Sequence, residues 1–430
     1  MSSSFSDSSG SSIQDDLKGK VIKSNKGNYY ALITELGSGA FSSVWLACHL
    51  QDNKFYALKV LNKEDDNSGN REIDAYNILK NKTNGICQIK EYFYYEIDED
   101  DKQLIIVFEL MACTIFDLIK EGRYYHGFPY DVVQQIIKQV ISTLKVIHDA
   151  GYIHTDIKPE NILVKGDSPK ILDICNKFKS FNVKQKYNSK VSKTKQKWGN
   201  IDIEMMEDIV NNAINSIFPD EDSTASSCSY SSDSVISLSL LSEDSYESID
   251  NNDTNIIDII DKKFIDNIIV KVGDLGTVLK DKQSFDIQTR YYRAPEIILK
   301  YNCDNKLDVW SVGCLLYELL TGKLLFNPNK TIENNRNRCH IYNIVSHFGP
   351  IPSELIEKSK KKNIYYRNDN ILKGDVTINY IPLTNFIKNT VKNITDDQII
   401  IISHILYKIF AYDPNKRASF SELLTHKFFE

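Results

Sequence analysis

The stretch "GYIHTDIKPENILV", residues 151–164, sets Asp156, Lys158 and Asn161 on one short loop. A carboxylate, a cation two residues on and an amide oxygen five residues on can serve one reaction. The carboxylate orients a hydroxyl and takes its proton, the cation neutralises a moving phosphoryl group, and the amide oxygen binds a metal. A second carboxylate for that metal does not arrive until Asp274, in "GDLG" at 273–276, beyond a long polar excursion. Any one of these residues alone reads as a surface turn; the ordered set does not.

Working outward, the chain of 430 residues is long enough for more than one packed unit. Its 42% hydrophobic and 26% charged residues are ordinary for a globular protein. A net charge of −6 gives no reason to expect nucleic acid as the main partner. There is no apolar run of membrane-span length, and "MSSSFSDSSGSS" lacks the charged head and apolar stretch of a signal peptide. The eight cysteines show no CxxC pair and no metal-ligand spacing, so they read as reduced thiols of an intracellular protein.

Residues 1–28 are rich in Ser, Asp, Gly and Lys and read as a disordered tail. From Tyr29 to Leu61, and again in "IKEYFYYEI" and "QLIIVFEL", β-branched and aromatic runs are broken by turn chemistry, which predicts a small antiparallel sheet. One helix is expected around "NREIDAYNILK". Beyond Asp117 the period changes. Val133, Ile137, Val140, Leu144 and Ile147 recur at helical spacing up to Gly151, "DVWSVGCLLYELLTG" is apolar nearly all round, and "DDQIIIISHILYKIF" follows near the C-terminus. The reading is an α+β chain: a sheet lobe at 29–111, a helical lobe at 112–168 and 267–430, and a spacer at 169–266. That spacer is lysine-rich over 177–198 and Ser- and acid-rich over 219–253, and it is expected to be mostly disordered, without a core of its own.

In "LGSGAFSSVWLA", Gly37 and Gly39 on a strand–turn–strand would let backbone amides approach phosphate oxygens. A glycine hairpin is the bland alternative. The reading gains weight from Lys59 in "YALKV", which shares a strand face with Ala57 and, set among apolar neighbours, needs an anionic partner. Glu72 on the following helix is the first candidate and Asp74 the second.

Gly37-x-Gly39, "YALK", "HTDIKPEN", "DLG" and "RAPE", in this order, resemble the signature set of eukaryotic protein kinases. The resemblance spans nearly the whole chain outside the tail and the spacer. It implies a bilobal kinase fold, ATP as phosphoryl donor, and Mg²⁺ as the metal, with Mn²⁺ the alternative ion. The nucleotide site it implies comprises Leu36, Gly37, Ser38, Gly39, Ala40, Phe41, Val44, Ala57, Lys59, Glu72, Phe108, Glu109, Met111 and Leu163. Phe108 takes the gatekeeper position, and Glu109 to Met111 the hinge. It implies that Asp156 and Lys158 act in catalysis with Thr289 in contact with both, that Asn161 and Asp274 hold the metal, that Glu296 pairs with Arg417, and that Asp308 braces the catalytic loop.

"GSGAFSSVWLACHLQDNKFYALKV", "HTDIKPENILV" and "DIQTRYYRAPEIIL" are similar to the kinases of SR splicing factors, of the CMGC group. In that family a long spacer splits the catalytic domain, serves localisation and partner binding, and can be lost with the kinase fold intact. The break is tolerable if its ends are neighbouring strands, since stretching a connection tenfold costs only about 2 kcal/mol. Thr155 stands where most regulated kinases carry an Arg, leaving no obvious cation for an activation-loop phosphate. The segment from Asp274 to Glu296 is also short, so activity without loop phosphorylation is expected. Ser42 replaces the third glycine, as it does in the SR-protein kinases.

The family's acidic docking groove is not matched. In "NPNKTIENNRNRCHIYNIV" Glu333 is the single acid and Arg336 and Arg338 bring the opposite sign, so Arg/Ser-repeat substrates would meet repulsion. The name motif of the related LAMMER kinases is absent here as well. The sequence therefore points to a monomeric Ser/Thr protein kinase acting on protein substrates in the cytoplasm, with the basic tract 184–197 leaving a nuclear address open. A pseudokinase scaffold is the competing class, disfavoured because Lys59, Asp156 and Asp274 are all present. A small-molecule or lipid kinase is disfavoured by "RYYRAPE".

Overall fold

The computed structural model describes residues 17–39, 41–98, 101–120, 124–191, 201–219, 265–280, 284–328, 335–374 and 380–430. They fall into two compact units, one built from residues up to 69 with 89–110 and the insert from 170, the other from 70–88, 111–169 and the remaining C-terminal chain. Among the described residues no helix is long and apolar enough to cross a membrane.

The first unit is an antiparallel sheet. Its strands are β1 (Val21–Lys23), β2 (Tyr29–Ser38), β3 (Ser42–His49), β4 (Lys54–Leu61), β5 (Ile89–Asp98) and β6 (Asp101–Glu109), in the order β1-β2-β3-β4-β6-β5. Helix α1 (Asp66–Leu79) follows β4 and runs from this unit into the second. Alternation of side chains gives the sheet two apolar faces. One gathers Tyr30, Leu32, Trp45, Ala47, Leu58, Phe93, Ile105 and Val107. On this face the phenol of Tyr30, on β2, donates to Glu91 Oε1, on β5, at 2.5 Å, although three strands lie between β2 and β5 in the sheet order. Asn28 Nδ2 donates to both oxygens of the same carboxylate. Burial and that carboxylate push the Tyr30 phenol far above its ordinary pKa.

The other face decides the fate of the insert. Ala31, Ile33, Leu46 and Cys48 of the sheet are covered by α4 (Pro169–Phe181), α5 (Val183–Lys190) and α6 (Ile203–Ile217). The expectation of a mostly disordered spacer at 169–266 is therefore corrected for 169–191 and 201–219; the acid-rich part lies outside the described residues. The helices are legible once periodicity is tested. Ile171, Ile174, Cys175 and Phe178 follow the i, i+3, i+4, i+7 rule, and Met206, Ile209, Val210, Ala213 and Ile214 extend it on α6. Asp202 caps α6 by accepting from Met205 N. Lysine content had masked the pattern: Lys179 lies over the Phe55 ring and Lys184 donates to Gln51 O, so part of the lysine run itself packs on the sheet.

The tail is corrected too. Residues 1–16 lie outside the described residues, but Val21 and Ile22 are buried, β1 pairs with β2, and Glu207 of α6 accepts from Val21 N. An edge strand whose outer amide is satisfied by an insert helix belongs to the unit.

The second unit contains β7 (Cys113–Thr114), α2 (Ile115–Lys120), α3 (Tyr130–Asp149), β8 (Tyr152–Ile153), β9 (Ile162–Val164), β10 (Val270–Val272) and β11 (Leu279–Lys280). The helical stripe expected in α3 is buried at all five positions, and every residue from Leu307 to Thr321 of the helix Lys306–Thr321 is buried. Strands β9 and β10 are antiparallel neighbours, with Val164 opposite Val270. The insert leaves and rejoins the chain across one strand pair, which explains how it interrupts the unit without opening it.

Because α4–α6 complete the core of the first unit, removal of 170–218 is expected to expose Ile33, Leu46 and Cys48 and to abolish soluble expression, contrary to the dispensability that the family resemblance implies. Phe178→Ala should cost roughly 3–5 kcal/mol, read as a lower urea midpoint for the far-UV circular dichroism of the full chain.

Candidate active site

The carboxylate of Asp308, fully buried in the first turn of the helix Lys306–Thr321, organises the loop that precedes Asp156. Its Oδ2 accepts from His154 N and from His148 Nε2, both at 2.8 Å, and its Oδ1 accepts from Thr155 N at 2.9 Å. Thr155 has φ 72°, a left-handed conformation that a β-branched residue adopts at a cost of roughly 1–3 kcal/mol. The bonds to Asp308, and Thr155 Oγ1 donating to Thr277 O at 2.9 Å, hold it there.

That turn delivers Asp156 to its partners. Asp156 Oδ1 accepts from Thr289 Oγ1 at 2.6 Å and Thr289 N at 3.1 Å, while Lys158 Nζ lies 2.9 Å from Asp156 Oδ2 and donates to Thr289 Oγ1 at 3.2 Å. Burial alone would lower the pKa of Lys158, but Asp156, Glu160 and Asp274 outweigh it and hold the ammonium above the ordinary lysine value. The neighbouring Glu160 carboxyl is raised, mainly by burial, with Lys158 opposing. Asn161 Nδ2 donates to Asp156 O at 2.8 Å and Oδ2 at 3.2 Å, which leaves its carbonyl oxygen as the acceptor end.

Asp274 sits at φ 54°, ψ 64°, between Gly273 and a single 3₁₀ turn at Leu275–Thr277. Gly273 N donates to Asn161 O, and Leu163 packs over this glycine so closely that a Cβ would meet its Cδ1 at 3.0 Å. Leu275 N donates to Glu72 Oε1 at 3.2 Å. Of the two candidate acids on α1, Glu72 is buried and Asp74 is exposed, so Glu72 is the one turned inward. Asn161 and Asp274 supply an amide oxygen and a carboxylate, hard donors that fit Mg²⁺, which keeps waters and phosphates for its other positions. Among the described residues no group of three or more His, Cys, Asp or Glu could hold a metal ion, so this is not a closed protein cage.

The remaining expected nucleotide residues divide between the units. In the first, Leu36, Val44, Ala57 and Lys59 are half-buried, and in the strand register Val44 faces Lys59 and Ala57 faces Phe108. Leu36 packs against the same core cluster that α4–α6 complete, so the insert and the expected nucleotide wall share one sheet face. Gly37 and Ser38 end β2, Gly39 and Phe41 are exposed, Ala40 lies outside the described residues, and Glu109 ends β6. In the second unit Met111 is buried and Leu163 lies on β9.

Farther along, Glu296 and Arg417, both wholly buried, form a two-pronged pair at 2.5 and 2.9 Å, and the guanidinium lies 5.1 Å from the Trp310 ring centroid. Several partners escaped sequence reasoning. Gln288, buried at φ 63°, donates to Leu307 O and Ser311 Oγ and accepts from Ala294 N, so it fixes the backbone beside Thr289. His154 Nε2 donates to Gly273 O at 3.0 Å while its Nδ1 accepts from Asp156 N at 3.3 Å. Glu318 accepts from the Tyr292 phenol at 2.6 Å. No periodicity marks such residues; only "HTD" next to "KPEN" flagged one of them.

The protein kinase domain model matches residues 30–196 and 253–429. A putative serine/threonine-protein kinase of Acanthamoeba polyphaga mimivirus is 31% identical over 406 residues, covering 78% of this chain and 75% of that protein. The serine/threonine-protein kinase SRPK of Physarum polycephalum is 27% identical over 95% of this chain and 87% of its own length. The protein kinase dsk1 of Schizosaccharomyces pombe is 26% identical over 91% and 78%.

Two outcomes test the electrostatics. Arg417→Ala strands a buried carboxylate and should cost roughly 3–5 kcal/mol, measured by urea unfolding. Burial raises the Glu318 carboxyl to about 8, opposed in part by the Tyr292 hydrogen bond and supported by Glu160. The folded state then holds a proton that the unfolded state has lost, so stability contributed here falls as pH rises from the ordinary glutamate range towards 8. Glu318→Gln should flatten that fall in a pH series of melting temperatures.

Proposed function

Because this chain belongs to the protein kinase family, we propose that Asp156 is the carboxylate that accepts the proton of a substrate Ser or Thr hydroxyl in its protein kinase reaction. The observation that carries this is the cluster around it: one Asp156 oxygen on the Thr289 hydroxyl, the other beside Lys158, and the backbone behind it fixed by Asp308. Lys158, kept protonated by three carboxylates, neutralises charge on the transferring group. Thr289, in contact with both, orients them and supports Ser/Thr acceptors over Tyr. ATP with Mg²⁺, or Mn²⁺, supplies the phosphoryl group and neutralises its phosphates when bound. Asn161 and Asp274 are the ligands for the ion; in the first unit Lys59 is the cation for the phosphates and Leu36, Val44 and Ala57 the apolar residues for the adenine ring, while in the second unit Glu72 and Leu163 keep the roles that the family resemblance implies.

Activity without loop phosphorylation is part of the same proposal. Thr155 is no cation, and its hydroxyl is already committed to Thr277 O. Peptide specificity of the SR-protein-kinase type is the first to test. Arg338, expected to repel Arg/Ser repeats, is buried, so its charge is not presented at the surface; Glu333 lies outside the described residues. The chain is proposed to act as a monomer in the cytoplasm.

Purified protein with radiolabelled ATP and Mg²⁺ on an arrayed library of Ser, Thr, Tyr and Arg/Ser-repeat peptides is the test. Wild type should label Ser and Thr peptides before and after phosphatase treatment, and Asp156→Asn should lose on the order of 10²–10⁴-fold. Equal labelling by the variant would remove Asp156 from the reaction, and loss of activity on dephosphorylation would remove constitutive activity.

A further inference from the structure

In the loop 273–277, Gly273, Leu275, Gly276 and Thr277 are each tied by a bond from elsewhere in the second unit. Gly273 N reaches Asn161 O, and Gly273 O accepts from His154 Nε2. Leu275 N reaches Glu72, Thr277 O accepts from Thr155 Oγ1, and Thr277 Oγ1 donates to His154 O. The carbonyl of Gly276 would be the gap in this series, and it is filled from α1: Arg71 Nε donates to it at 3.0 Å. Arg71 and Glu72 are adjacent on one helix, so α1 holds the backbone of two consecutive residues of the turn, accepting from Leu275 N and donating to Gly276 O.

We infer that Arg71 is a positioning residue for the metal-binding carboxylate Asp274, a role that rests on Asp274 binding the ion as proposed above. Asp274 occupies a left-handed backbone conformation that few non-glycine residues hold unaided. Its orientation depends on the peptides that follow it, and a charge-assisted bond to Gly276 O is stronger than a neutral one. Arg71 is itself exposed and, among the described residues, meets no carboxylate, so its guanidinium serves this carbonyl and not an ion pair.

The test compares wild type, Arg71→Ala and Arg71→Lys as full-length protein. Mn²⁺ affinity is read by electron paramagnetic resonance with a non-hydrolysable ATP analogue, beside the Mg²⁺ dependence of peptide labelling and the ligand-free melting temperature. Arg71→Ala should weaken Mn²⁺ binding and raise the Mg²⁺ requirement roughly tenfold, with the peptide KM and the ligand-free melting temperature unchanged. Arg71→Lys, which keeps a charged donor, should recover part of the loss. Unchanged Mn²⁺ binding in Arg71→Ala overturns the inference, and so does a loss matched by a lower ligand-free melting temperature, which would mark a purely structural residue. If wild type binds Mn²⁺ but labels no peptide, the kinase reading of Asp156 fails while the comparison of metal affinities still decides the role of Arg71.

Discussion

A single buried carboxylate fixes the backbone ahead of Asp156. Asp308 is desolvated completely, and a charge in that position is tolerable only because three donors surround it: two consecutive backbone amides and an imidazole. The two amides belong to His154 and Thr155, so satisfying the carboxylate and bending the chain ahead of Asp156 are the same event. Thr155 is thereby held in a conformation it would not choose, and the strain is compensated by bonds that also fasten the loop 273–277. Asp156 and Asp274 are thus linked through one shared polar framework, although they are far apart in sequence.

That framework explains how an insert can interrupt the site. The chain departs after β9 and returns as β10, and these strands are hydrogen-bonded partners. Ladder bonds and the packing of Leu163 on Gly273 fix their relation regardless of what lies between. The excursion is then free to acquire another structural task, and here its first half does: α4 to α6 cover one face of the sheet in the first unit. A six-stranded sheet has two apolar faces, and the strands supply only part of the cover for either. Supplying it from a segment over a hundred residues downstream makes the first unit depend on chain that composition alone would assign to a linker.

The misreading of that segment has a definite cause. Averaged over 177–198, lysine dominates, and an average discards phase. The apolar positions Ile171, Ile174, Cys175 and Phe178 carry the helical period, and of the lysines among and beside them Lys177 is exposed and Lys179 sets its ammonium over the Phe55 ring. The same error shortened the sheet unit at its start, where two apolar residues, Val21 and Ile22, suffice for an edge strand because a helix of the insert receives its outer amide. Where the period was read instead of the composition, as in α3 and Lys306–Thr321, the burial followed.

The sequence by itself determined the elements and the chemical inventory. Periodicities of two and near 3.6 are local properties, and an Asp, a Lys and an Asn on one loop cannot be separated by folding. Tertiary structure alone decided which distant groups complete them. Gln288 beside Thr289, Arg71 on the Gly276 carbonyl, Glu318 under Tyr292 and the insert helices on the sheet leave no local trace. Each exists because a buried polar atom or an apolar face must find a partner, and the chain contains many residues able to serve. Which one does so is set by where the backbone passes in three dimensions, and a linear spacing carries no record of that.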